Sequence, residues 1–399
     1  MLKGTTKIEK FGNQKAWRPL SAKDFDSLMR PCFFITAILG YFPYKRTPYT
    51  YVFSRIRFAF NTLLMIIYVF LLLVVIYEIN FLDAVTYSVP ETIHENLYIF
   101  LEGIVILVMY ALTGSRLSVL QNISQISSML PAKEFDSLAK VIHTKDIVYF
   151  LILLSHLPNC LKHNIFLTVK NFTNLYITAV NFVIDMFYFN CVYILSVCFK
   201  KLDQGIWELK RVQFDDGLVP RTFIILDQNN VMLLLKMKDL EEKHMQISDA
   251  VQSVNNTFMI RIIILSLMTF IEMSFNIYFK IIHSYDIVLT NNKFWYSQDL
   301  GPASLSFFKF SLIIWACEKA VNQANKIKMT LYEVFSDTTD PMIKHEVQLF
   351  SLQILQRNNI FTTKAFDMNS SFLMKIIGGI LMYIVILIQF LYTYASCKS

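Results

Sequence analysis

Tyr383-Ile384-Val385-Ile386-Leu387-Ile388-Gln389-Phe390 lies in an uncharged run, 376–397, near the end of the chain. As a helix that run is long enough to cross a bilayer, which takes about 20 apolar residues. One amide, Gln389, and one ring, Phe390, sit near its far end. A polar side chain in such a helix is costly unless it faces protein or water. The stretch therefore reads as a candidate wall of an aqueous path.

The rest of the composition agrees with a membrane chain. Of 399 residues, 55% are hydrophobic and 15% aromatic, while 17% are charged, against about 25% charged in soluble domains. Only ten Gly and ten Pro argue against a loop-rich β chain. The apolar runs are continuous, so an outer-membrane barrel, whose strands alternate, is excluded. The six Cys include no Cys-x-x-Cys pair and read as small core residues. His156, Cys160 and His163 have loosely ligand-like spacing but no fourth ligand, so no metal site is expected. Residues 1–30 are polar and basic, so no cleavable signal peptide is expected.

Seven apolar runs qualify as spans: 58–79, 96–115, 147–168, 174–199, 262–283, 300–317 and 376–395. The third is weakest, because Lys162 and His163 interrupt it. Residues 31–44 form a run too short to cross, read as a re-entrant or interfacial helix. Lys and Arg set the direction. Segments 1–57, 116–146, 200–261 and 318–375 hold eleven, four, nine and seven, whereas 80–95, 162–173 and 280–299 hold none, two and two. The expected fold is thus all-α and polytopic, with a cytoplasmic N-terminus and an extracellular C-terminus. The net charge of +7 is mostly this asymmetry, and no nucleic-acid partner is implied.

Residues 229–257 and 318–359 carry apolar residues near a helical period, with a break at Asp340-Pro341. They read as cytoplasmic continuations of the spans. The chain divides into a cytoplasmic segment (1–57), four spans (58–199), anchor helices (200–261), two spans (262–317), a further anchor helix (318–371) and a last span with a short tail (372–399). Asn-x-Ser/Thr occurs at Asn122, Asn171, Asn255 and Asn369. This topology leaves Asn171 as the extracellular glycosylation candidate.

With an inside N-terminus and that final helix, the chain resembles an insect gustatory receptor, a family related to insect odorant receptors. The family signature is Thr-Tyr, five apolar residues, then Gln-Phe. Here Met382-Tyr383, five apolar residues and Gln389-Phe390 stand in that place. Phe361-Thr362-Thr363-Lys364-Ala365-Phe366-Asp367-Met368 occupies the place of the family's aromatic-Gly-aromatic turn. Met382 replaces the usual Thr, and Ala365 the usual Gly. The resemblance implies a tastant-gated, non-selective cation channel in the plasma membrane of gustatory or other sensory neurons. It implies a homo- or heterotetramer in membrane lipid, permeable to sodium, potassium and calcium, with no cofactor. Gln389 and Phe390 would be the gate.

The helix geometry supports that role from the residues alone. Met382, Val385, Ile386 and Gln389 lie on one face at three-and-four spacing, giving an apolar tube capped by an amide ring. Apolar constrictions block ions by dewetting. Gly378-Gly379 permits a close approach.

Ionisable groups inside spans mark functional sites. Glu102, Asp185, Glu272 and Lys309 are such groups. Asn181 shares a face with Asp185, and Asn276 with Glu272. Tyr98, Tyr176, Tyr278, Phe307, Phe308 and His163 accompany them as candidate pocket residues. Carboxylates, amides and rings together suit a small polar organic molecule. The plainer reading is that Lys309 pairs with Glu272 or Asp185 as buried glue. The ligand is expected to be bitter or otherwise non-volatile, with a sugar as the alternative. No phosphate loop, nucleophile motif or paired catalytic carboxylate is visible, so an enzyme is not expected. A G-protein-coupled receptor requires an extracellular N-terminus, which eleven basic residues oppose. A secondary transporter usually shows internal hydropathy repeats, and none is seen.

Overall fold

The computed structural model describes residues 20–48, 50–81, 89–155, 157, 165–215, 223–290, 301–335 and 340–398. Side chains within 210–230, 282–290, 301–303 and 390–398 lie outside that description. In order, the elements are α1 (Phe25–Ile38), β1 (Tyr44–Arg46), β2 (Tyr51–Phe53), α2 (Arg55–Phe81), α3 (Val89–Ala111) and α4 (Thr113–Ser127). They continue as α5 (Ala132–Ser155), α6 (Ile165–Asp215), α7 (Phe223–Thr290), α8 (Gly301–Phe335), α9 (Pro341–Gln356) and α10 (Ser370–Lys398).

Five helices among the described residues are long and apolar enough to cross a membrane: Arg55–Phe81, Val89–Ala111, Ile165–Leu209, Val231–Ile281 and Ser370–Gln389. Two of the seven expected spans are not among them. Span 147–168 begins in α5 and runs into 158–164, outside the described residues. Span 300–317 begins at the edge of the described residues, and α8 carries Lys309, Glu318 and Lys319 among its apolar positions.

The amino-terminal part departs from the expected short helix over 31–44. Asp24 caps α1 and Ser27 answers it in a capping box, which starts the helix at Phe25. Burial opposes ionisation of Asp24, yet hydrogen bonds from Ser27 outweigh it and hold the carboxyl below its usual range. Gly40 ends the helix at φ +72°, where a Cβ would also sit 2.4 Å from Leu64 Cδ1, so only glycine suits the position. An antiparallel hairpin follows, with Tyr44 opposite Phe53 and Arg46 opposite Tyr51. The Tyr44 hydroxyl donates to the Thr113 carbonyl at 2.7 Å, and the Tyr51 hydroxyl to Asp26. This hairpin corrects the purely α-helical expectation. Three-residue strands are too short to show a period of two.

Segment 116–146, read above as a basic connection between spans, is mostly helical. The chain turns at Leu112 and continues as α4, which buries Val119, Leu120, Ile123 and Ile126. The span expected at 96–115 therefore ends at Ala111.

α6 is the centre of the molecule, and α8 lies along it. Phe189, Ile194, Phe199 and Ile206 of α6 and Phe310, Ile313 and Ala320 of α8 are fully buried. Cys32, Cys191, Cys198 and Cys317 are buried free thiols, in keeping with the core role expected of cysteine. α7 runs unbroken for 68 residues, about 100 Å at 1.5 Å per residue. This is the anticipated continuation of a span into a long extension. The expected break is also present: Asp340 caps α9 through Met342 N at 2.8 Å, with Pro341 at the first helical position, where its missing N–H costs nothing.

α9 is tied to α7 by His244. Gln353 Nε2 lies 3.1 Å from its Nδ1 and the Asn359 amide 3.3 Å from its Nε2. Exchanging N and O of Asn359, whose Oδ1 has no other partner, lets the ring accept from Gln353 and donate to Asn359. Between α9 and α10 the chain makes a tight turn. Thr362 bridges Asp367, Thr363 N donates to the Phe366 carbonyl at 3.0 Å, and Lys364 sits at φ +65°. The left-handed position is Lys364, so Ala365, standing where the resembled family has Gly, carries no such strain.

Candidate functional site

Helical spacing gathers one polar seam between α3, α6, α7 and α8. On α3, His94, Tyr98 and Glu102 follow at intervals of four. On α6, Asn174, Thr178, Asn181 and Asp185 follow at four, three and four. Both series are single faces. At the base of the seam lies Arg261 of α7, fully buried. Its Nε and Nη2 donate to Asp185 Oδ1 and Oδ2, each at 2.6 Å. Its Nη1 donates to Glu102 Oε2 at 2.5 Å. Lys309 Nζ of α8 lies 2.8 Å from Asp185 Oδ2. Asn181 Nδ2 donates to the Glu102 carbonyl at 3.1 Å, and Tyr149 stacks on Phe182 at 3.6 Å beside the network. One fork and one ammonium thus pin four helices together.

Higher in the seam, the Tyr98 and Thr178 hydroxyls are 2.7 Å apart. Ser306 of α8 hydrogen-bonds the Glu272 carboxylate, and its Oε2 is enclosed without a partner. His94 packs on Phe275 and Phe279, with ring centroids at 5.3 and 6.4 Å. Lys170 Nζ meets Glu95 Oε1 at 3.1 Å.

The expected pocket residues divide. Tyr98, Glu102, Asn181, Asp185 and Glu272 come together. Asn276 flanks them, its amide donating to the Glu272 carbonyl at 2.7 Å. Tyr278 packs on Phe279 at 5.7 Å, and Phe307 is half-buried. Tyr176 turns away: its hydroxyl donates to the Leu39 carbonyl beyond α1. Phe308 is 64% exposed, because Lys309 and Phe310 take the inward face of α8. His163 lies outside the described residues. Glu102 and Asp185 are held by Arg261, and the Lys309–Asp185 pair is the glue that the plainer reading described. Asn171 is half-buried within α6, and its sequon partner Thr173 is buried and donates to the Val169 carbonyl at 2.9 Å.

The last helix has two unlike faces. Ile376 and Ile380 are buried, Tyr383 lies against Phe270 at 6.1 Å, and Phe372 stacks on Phe366 at 4.0 Å. A Cβ at Gly379 would sit 3.3 Å from the Phe270 ring, so this glycine sets the close approach of α10 to α7. Met382 (68%) and Val385 (54%) are exposed, and Gln389 shares their exposed side. Ile386 is intermediate, and the Phe390 side chain lies outside the described residues.

The family model described as 7tm chemosensory receptor matches residues 29–394. The chain belongs to that family. Among solved structures it is similar to the insect olfactory receptor OR5 from Machilis hrabei, with TM-score 0.64 and 11% identity over 90% of this chain and 97% of that one. The same olfactory receptor in complex with eugenol gives 0.58 and 12% identity over 91% and 97%. At that identity the likeness carries the fold alone. No curated protein sequence matches the chain. The family is one of chemosensory receptors and not of enzymes.

In this receptor the sequence reading missed Arg261, counting it as a cytosolic charge next to a span. A signal was present. Met259-Ile260-Arg261-Ile262 sets one cation between apolar neighbours, the pattern of an intramembrane charge needing a partner. Tyr149, Thr178 and Ser306 had no such mark.

Proposed function

We propose that this receptor is a ligand-gated, non-selective cation channel with a gustatory role, opened by a bitter or other non-volatile small molecule. The observation that carries the reading is the two-faced last helix. Its packed side grips α7 and α8, while Met382, Val385 and Gln389 are exposed among the described residues. Four copies around an axis would bring those faces together as an apolar tube under an amide ring. The family model and the likeness to an olfactory receptor solved with eugenol support a small-molecule ligand. The seam between α3, α6, α7 and α8 would receive it.

In this reading α5 and α8 complete seven spans. The eleven basic residues of 1–57 hold the N-terminus in the cytosol. The lower parts of α7 and α8, with α9, form the anchor, and Asn171 is the outward sequon. The expression test uses a non-neuronal cell and a panel of sugars, amines and alkaloids. Ligand-evoked cation current should change several-fold in amplitude or rectification in Gln389→Ala and Phe390→Ala at equal surface level. Unaltered conduction in both variants contradicts the gate. Labelling of an N-terminal epitope on intact cells would favour a G-protein-coupled receptor instead.

A further inference from the structure

The buried charges of the seam do not balance. Glu102, Asp185 and Glu272 are three carboxylates, while Arg261 and Lys309 are two cations. Arg261 and Lys309 are directed at Asp185 and Glu102. Glu272 is left over, with the Ser306 hydroxyl as its hydrogen-bond partner and no donor at Oε2.

The other unpartnered atoms of the seam point the same way. Asn181 is buried, and its Oδ1 has no partner. Its amide orientation is fixed, because Nδ2 donates to the Glu102 carbonyl and a flip would set two oxygens face to face. Asn174 Oδ1 and His94 Nε2 are also unpartnered. Every one of these atoms can accept a hydrogen bond. These atoms lack donors, and among the described residues of the seam the carboxylates outnumber the cations by one. Buried acceptors without donors are costly, and an uncompensated carboxylate more so. A sugar supplies donors but no charge. A protonated amine supplies both.

We propose that the receptor's ligand is a protonated amine whose ammonium group pairs with Glu272 and whose apolar body lies along Phe275 and Phe279. The aromatic wall suits it, because ring faces attract cations. Those two rings and Tyr98 are half-buried, so the upper seam is less closed than the Arg261 network beneath it. This deepens the channel reading above and rests on it for its electrical readout.

The test compares phenethylamine and related aryl-alkyl amines with their neutral alcohol isosteres on the full-length receptor. Current is recorded in cells, and thermal stabilisation is measured on purified receptor in detergent. The amines should bind and gate, and the alcohols should not. Glu272→Gln keeps the shape and the Ser306 contact, and should weaken the amine response about 100-fold at unchanged surface level. Glu272→Asp, which keeps the charge, should retain part of it. Alcohols acting as well as amines overturn the proposal. So does an undiminished amine response in Glu272→Gln, the result expected if Glu272 is simply protonated. So does a receptor opened by neutral compounds while the amines neither bind nor gate. Amine binding that depends on Glu272 without any current supports the proposal and sinks the channel reading instead.

Discussion

Arg261→Met is expected to remove most of the folded receptor from the cell surface. The guanidinium serves two carboxylates on two other helices, and its side chain is fully buried. Removing it leaves Glu102 and Asp185 with Lys309 alone. Breaking a buried ion network by deleting one partner costs about 3–5 kcal/mol, a large share of the 5–15 kcal/mol by which soluble domains hold their fold. Arg261→Lys keeps the charge but loses the fork and should fall between. The deciding comparison is Arg261→Met with Glu102→Gln added, which leaves the Asp185–Lys309 pair in place. If unpaired charge is the cause, the double variant recovers part of the loss, because coupled neighbours are not additive. Fluorescence-detected size exclusion after heating, with surface labelling, reads both effects. Wild-type thermal stability in Arg261→Met would contradict the network's structural role.

Val385→Lys is expected to abolish cation current while leaving the receptor at the surface. Val385 is 54% exposed, whereas Ile380 on the opposite side is buried against the body of the protein. A lysine among lipid or packed side chains costs roughly 2.5–3.5 kcal/mol at a span's centre. In a water-lined pore that cost falls, and the added positive charge repels the permeant ion instead. Val385→Lys should cut current more than about tenfold, as one unit charge near a narrow path acts on cations over several kcal/mol. Ile380→Lys should act on folding instead, and lower surface expression. Normal current in Val385→Lys, or equal loss of expression in both variants, would place that face elsewhere.

The parts of the fold legible in the sequence were those with one strong physical cause. Most of α10 is the uncharged run 376–397. The start of α9 is written in Asp340-Pro341, a capping acid followed by a residue that begins helices. The long extensions showed because apolar residues persisted at helical spacing beyond the spans. Less was legible where the cause was tertiary. The hairpin at 44–53 has strands too short for a pattern, and α4 mixes polar with apolar residues because it is covered on one side only. In the spans, lipid and protein are both apolar, so the sequence of α8 does not say whether Phe308 or Phe310 faces in, and Tyr176 cannot be aimed. The carboxylates were found by their rarity. Their partner was missed because Arg261 stands at the edge of an apolar run, where basic residues usually mark the cytosolic surface.

In the channel reading proposed above, the exposed side of α10 lines a ligand-opened cation path. Single cysteines at Met382, Val385, Ile380 and Ile384 test it, in a background carrying Cys160→Ser and Cys397→Ser. A positively charged methanethiosulfonate reagent is applied during ligand-evoked current. Irreversible block at 382 and 385, faster with ligand than without, and none at 380 and 384, is the predicted result. Block at 380 and 384 with 382 and 385 inert, or no current to block under any ligand, would contradict it.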